Sequence, residues 1–175
     1  MSAATCYAHA QKVTKYRQPI EDNLVPAVVR TNFKTQYPRA IISIWYSSHI
    51  TYWYEDYITT WYGDWHIARP TTVHTFEFPT YYEVDFYRNE QNTRAIYNRY
   101  GQWFETRTKI TALPDDISNK LKNSEYGDWS WSQHKERIEA PGMPGSVYRF
   151  EVGKGREYRI IRISDQGEII QVKYD

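Results

Sequence analysis

Few residues in this chain have the type and spacing that catalysis needs. The single cysteine, Cys6, has only His9 near it, in a stretch without hydrophobic period. A thiol nucleophile needs a base held beside it and a third group to orient that base, and the local sequence offers neither. No Gly-x-Ser-x-Gly elbow occurs. The five histidines, His9, His49, His66, His74 and His134, never stand four apart on a helix or two apart in a clamp. His66 and His74, with Glu77, would form a metal site only if neighbouring strands brought them together; isolated surface histidines are the plainer reading. Glu83 and Asp85 alternate on a strand pattern and so share a face. Acid–base work would require one of them in an apolar pocket, and a solvated strand face is the simpler expectation. Gly153-Lys154-Gly155-Arg156 sits between strand patterns and reads as a hairpin turn, not a phosphate cradle. The expectation is therefore no catalytic residue, no metal and no cofactor.

The chemistry that does stand out is aromatic. The sequence holds 17 Tyr and 7 Trp against 6 Phe, large rings that carry a polar tip and suit strands and contact surfaces. They crowd between positions 45 and 65: Trp45, Tyr46, Tyr52, Trp53, Tyr54, Tyr57, Trp61, Tyr62 and Trp65. On a strand, Trp53 points one way while Tyr52 and Tyr54 point the other, so one core face does not bury them all. Either helices or the N-terminal arm cover these rings as a Trp/Tyr-rich core, or they form a contact surface. Trp45, Trp53, Tyr54, Tyr57, Trp61, Tyr62 and Trp65 are the candidate contact residues. Trp and Tyr dominate binding hot spots, which favours a protein partner; a stacking platform for sugars or another flat ligand is the alternative.

The elements that must position these residues follow a repeated pattern. Residues 1–23 read as an arm or short strand. Pro26 then opens a helix with Val29, Phe33 and Tyr37 four apart, and Pro38 stops it. Eighty-eight residues later Pro114 opens another, with Asp115 and Asp116 at its positive end, Ile117, Leu121 and Tyr126 on the apolar side and Gly127 as the stop. After each helix the period falls to two: Tyr82, Val84, Phe86 in one half and Tyr148, Phe150, Val152 in the other. Each half closes with a hairpin turning at Gly101 or Gly167, where glycine supplies the positive φ of short loops. The halves run 24–110 and 113–175. The turn glycines are sixty-six residues apart, so the first half carries extra residues within about 38–72. One alignment places them at 38–61, on the recurrence of Tyr62-Gly63-Asp64-Trp65 as Tyr126-Gly127-Asp128-Trp129; the other places them at about 47–72.

Charge and length exclude several classes. With 22 Lys+Arg against 21 Asp+Glu the net charge is +1 and mixed along the chain, as in Lys135-Glu136-Arg137; no basic footprint for nucleic acid is present. No stretch reaches the roughly 20 apolar residues of a membrane span. One cysteine forms no internal disulfide. Met1-Ser2-Ala3-Ala4-Thr5 lacks the basic-then-apolar signature of a signal peptide, so the protein is cytosolic or an export signal has been removed.

The order of these pieces resembles a known family. Val25-Pro26, Tyr37-Pro38, Tyr82-Glu83-Val84-Asp85-Phe86, Asn98-Arg99-Tyr100-Gly101-Gln102-Trp103, Leu113-Pro114, Tyr148-Arg149-Phe150-Glu151 and Asp165-Gln166-Gly167 together resemble the PepSY-like proteins of the Bacteroidetes, with a beta-lactamase-inhibitor-like fold. The resemblance implies an α+β tandem repeat whose strands join in one curved antiparallel sheet with helices on one face. It further implies export to the periplasm or beyond, and a non-catalytic role in binding, inhibitor-like, with no family catalytic residues. Neither the partner nor the oligomeric state is written in the sequence.

Overall fold

In the computed structural model, which describes residues 17–48 and 81–174, both helices start where proline allows. Helix α1 (Ala27–Gln36) follows Pro26 and α2 (Asp115–Lys122) follows Pro114; each proline's fixed φ suits helix entry and its missing N–H costs nothing there. Tyr37 closes α1 by donating its N–H to the Phe33 carbonyl at 2.8 Å, and Pro38 prevents extension. In α2, Asp115 and Asp116 lie in the first turn and Lys120 and Lys122 in the last, matching the helix dipole at both ends. Helices this short are marginal alone, so their buried residues hold them: Val29 and Phe33 in α1, Ile117 and Leu121 in α2. Sequence reading ran α2 on to Tyr126 and Gly127. The helix instead ends at Lys122, where the Ser124 hydroxyl donates to the Leu121 carbonyl at 2.7 Å and turns the chain. Tyr126 is buried beyond the helix.

The described residues also form nine strands: β1 (Arg17–Ile20), β2 (Ile41–Ser48), β3 (Tyr81–Arg88), β4 (Gln91–Asn98), β5 (Trp103–Ile110), β6 (Ser130–Glu139), β7 (Val147–Lys154), β8 (Glu157–Ser164) and β9 (Ile169–Tyr174). They form one open antiparallel sheet in simple order from β1 to β9, an α+β fold. Asn89 and Glu90, both at positive φ, turn β3 into β4, and Gly155 turns β7 into β8. Gly101 and Gly167, at φ of 81° and 78°, turn β4 into β5 and β8 into β9 as expected.

Two hydrophobic clusters sit on the sheet. Beneath α1, Phe33 meets Trp45, Phe86 and Tyr97 edge-on, with centroids 5.5, 5.0 and 6.4 Å away, beside Val84 and Ala95. Beneath α2, Ile117 and Leu121 lie among Phe150, Val152, Ile161 and Ile163. Register links the two. Thr93 pairs with Thr108, Thr108 with Arg137, and Arg137 with Tyr148, and paired residues share a face. Both helices therefore cover the same face, separated by a polar strip of Thr93, Thr106, Thr108, Arg137 and Glu139.

Candidate binding surface

The alternation that sends Val84 and Phe86 under α1 sends Glu83 and Asp85 to the opposite face, where the described elements include no helix. Cross-strand neighbours there are charged. Arg94 on β4 donates through Nε to Asp85 Oδ1 at 2.5 Å and through Nη2 to Asp85 Oδ2 at 2.7 Å, and its Nη1 stands 3.6 Å from Glu83. On β5, Arg107 pairs with Glu105 through Nε and approaches Glu136 of β6 at 4.0 Å. Arg149 of β7 donates to the same Glu136 oxygen at 3.2 Å. A belt of mixed charge thus crosses five strands, with Glu83 at 1% and Glu136 at 0% exposure.

This overturns the solvated strand face expected for Glu83. Its partner Arg94 lies on the next strand, where only the register brings it near, and burial at this depth demands such a partner. Lys135-Glu136-Arg137, mixed charge in sequence, is split by the pleat: Glu136 joins the belt, while Lys135 and Arg137 face the helix side. Lys135 donates to the Ser132 carbonyl at 2.5 Å, and burial pushes its ammonium below the usual lysine range. Arg94, Arg107, Glu136 and Arg149 escaped sequence reading, whose only available signal was charge at alternate strand positions.

Of the aromatic candidates, Trp45 is 2% exposed and packs on Phe33 in the α1 cluster. Its place on β2 opposite Val84 turns it under the helix. Trp53, Tyr54, Tyr57, Trp61, Tyr62 and Trp65 lie outside the described residues, as do Cys6, His9, His49, His66, His74 and Glu77. His134 is exposed. On the belt face, Tyr46 stands beside Arg94, 5.8 Å from guanidinium carbon to ring centroid, and Tyr81 meets Phe104 edge-on at 5.3 Å. Among the described residues no three His, Cys, Asp or Glu are grouped to hold a metal, and no helix is long and apolar enough to cross a membrane.

A family model described as "Putative beta-lactamase-inhibitor-like, PepSY-like" matches residues 11–57 and 80–171, most of the sequence. The chain belongs to this PepSY-like family. Solved structures share the fold at low identity. A BLIP-like protein from Bacteroides fragilis is 17% identical with a TM-score of 0.61, over 85% of this chain and 86% of that one. A DUF2874 family protein from Bacteroides ovatus is 19% identical with a TM-score of 0.61, over 85% and 86%. A protein from Bacteroides eggerthii described as "putative periplasmic" is 20% identical with a TM-score of 0.59, over 86% and 88%. No curated protein matches this PepSY-like chain.

Proposed function

We propose that this PepSY-like protein is a non-catalytic exported module that binds another protein. The observation that carries the proposal is a sheet with both helices on one face, with Tyr87, Tyr100 and Tyr158 exposed outside the two helix-covered clusters among the described residues. Rings outside those clusters supply the large, rigid contact area that a partner engages. Trp53, Tyr54, Tyr57, Trp61, Tyr62 and Trp65 are the contact rings in this reading, and Trp45 serves the core. Export is supported by the periplasmic description of the Bacteroides eggerthii neighbour.

The module is a tandem duplication. Pro26 and Pro114 hold the same cap position, and Val25, Val29 and Phe33 are buried as Leu113, Ile117 and Leu121 are, eighty-eight residues on. Strands β3 and β4 recur as β7 and β8 at sixty-six residues, with equal lengths. That β2 pairs with β3 as β6 pairs with β7 supports the 47–72 alignment of the first half's extra residues.

Immobilised protein exposed to a bacterial envelope extract should retain one dominant protein, and Trp53→Ala with Trp61→Ala should release it. Retention unaffected by both substitutions, or a tryptophan-fluorescence response to a glycan panel with no protein retained, would count against this reading.

A further inference from the structure

Two turns of this sheet are built alike but surfaced differently. In the β4–β5 turn the Asn98 N–H donates to the Gln102 carbonyl at 3.0 Å and the Gly101 N–H to the Asn98 carbonyl at 3.0 Å; in the β8–β9 turn Ser164 donates to Glu168 at 2.8 Å and Gly167 to Ser164 at 2.9 Å. Each turn rests on its helix. Asn32 Nδ2 donates to the Gly101 carbonyl at 2.8 Å, and Lys120 Nζ donates to the Gln166 carbonyl. Asn32 and Lys120 each stand six residues after their cap proline.

What these turns show to solvent is unlike. The first carries Arg99 and Tyr100 where the second carries Asp165 and Gln166. In α1 and the segment before it, Leu24 and Val28 flank Pro26 at the positions that Ala112 and Asp116 hold around Pro114. Tyr100 is 64% exposed, Leu24 65% and Val28 44%. Val28 lies against the turn: a Cβ on Gly101 would come within 2.9 Å of its Cγ2. Since the second turn closes and docks the same way with polar residues, the fold does not require the first turn's ring and aliphatic side chains.

We infer that Leu24, Val28, Arg99 and Tyr100 form a contact surface for a segment of another protein that is both acidic and apolar. The inference rests on the protein-binding reading above and gives it a place and a partner chemistry. The guanidinium of Arg99 lies 4.8 Å from the Tyr100 ring centroid and donates through Nη2 to the Tyr100 hydroxyl at 2.6 Å. Among the described residues no carboxylate forms an ion pair with it, so its charge is available to one from outside. Asn98 fixes the tip by accepting at Oδ1 from the N–H groups of Tyr100 and Gln102, at 2.9 and 3.0 Å. A tip already ordered loses little entropy on binding, and Tyr and Arg are the residues that hot spots favour. The corresponding surface of the second half, with Asp116 and Asp165 beside Lys120, lacks the exposed ring and unpaired arginine and serves as an internal control.

The test is selection of phage-displayed random peptides on the immobilised full chain. Selected peptides should pair an acidic residue with aromatic or aliphatic ones. They should bind the Arg99→Ser/Tyr100→Ser protein at least about tenfold more weakly, and bind Asp165→Ser/Gln166→Ser unchanged. Leu24→Ser, outside the turn, replaces the first variant if that variant loses its melting transition. Peptides that ignore Tyr100 and Leu24, or that are basic, overturn the surface while leaving a binding module in place. No enrichment over a blank support overturns both. A wild-type dimer that Tyr100→Ser returns to monomer would assign the surface to a second copy and overturn the heterologous partner.

Discussion

Under α1, hydroxyl groups replace the aliphatic packing found under α2. Tyr97 donates to Gln36 Oε1 at 2.7 Å, Gln36 Nε2 donates to the Tyr37 hydroxyl at 3.1 Å, and Tyr37 shares a 2.5 Å bond with Thr106, which also accepts from Trp103 Nε1 at 2.9 Å. Burial raises the ionisation of Tyr97 and Tyr37 above the ordinary tyrosine value of 10.0. The folded chain therefore keeps these protons at a pH where the unfolded chain releases them. Their contribution is complete below pH 10 and is lost as pH climbs past it. Lys135 runs oppositely: burial lowers it from 10.5, so the cost of its burial shrinks as pH rises towards that value. Urea midpoints should fall above pH 10, and Tyr97→Phe should flatten the fall; an unchanged slope would show that this hydroxyl does not govern the alkaline limit.

Each helix is seated on a turn as well as on strands, and glycine makes this possible. At Gly101, φ is 81° and an added Cβ would lie 2.9 Å from Val28 Cγ2 and 3.2 Å from the Val28 carbonyl oxygen; at Gly142, φ is 77° and nothing lies within 4 Å. Gly142→Ala should cost only the left-handed backbone penalty, about 1–2 kcal/mol. Gly101→Ala should cost about 1 kcal/mol more, because α1 must shift, and chemical denaturation of both variants measures the difference. Equal losses would mean that the helix yields freely. The positive φ was legible from glycine between two strand patterns. Contact with the helix was not, since nothing local to residues 98–102 names Val28 or Asn32.

At the scale of the molecule, two hydrophobic cores share one sheet. A polar strip divides them on the helix side, and the charged belt runs across β3 to β7 on the other. Glu136 on β6 sits between two arginines, serving Arg107 on β5 and Arg149 on β7. Glu136→Gln leaves both arginines without that charge at 2% exposure or less, and should cost about 3–5 kcal/mol by urea denaturation. Asp128→Asn breaks the Lys154 pair, whose side chains are 54% and 65% exposed, and should leave the urea midpoint nearly unchanged because water screens the pair. Comparable losses would show that the belt is no more buried in solution than a surface pair.

Proline placement, helical spacing and period-two alternation determined, from sequence alone, where both helices begin, the strand patterns around Tyr82–Phe86 and Tyr148–Val152, and the turns at Gly101 and Gly167. These are local signals, each written within a few consecutive residues. Tertiary structure alone decided that Trp45 lies in the core, that Glu83 is buried beside Arg94, and that Lys135 and Glu136 part to opposite faces. Those outcomes depend on which residues stand opposite across a ladder. Cross-strand register joins positions such as Arg107 and Glu136, far apart in the chain, and a single-residue slip would reverse every face.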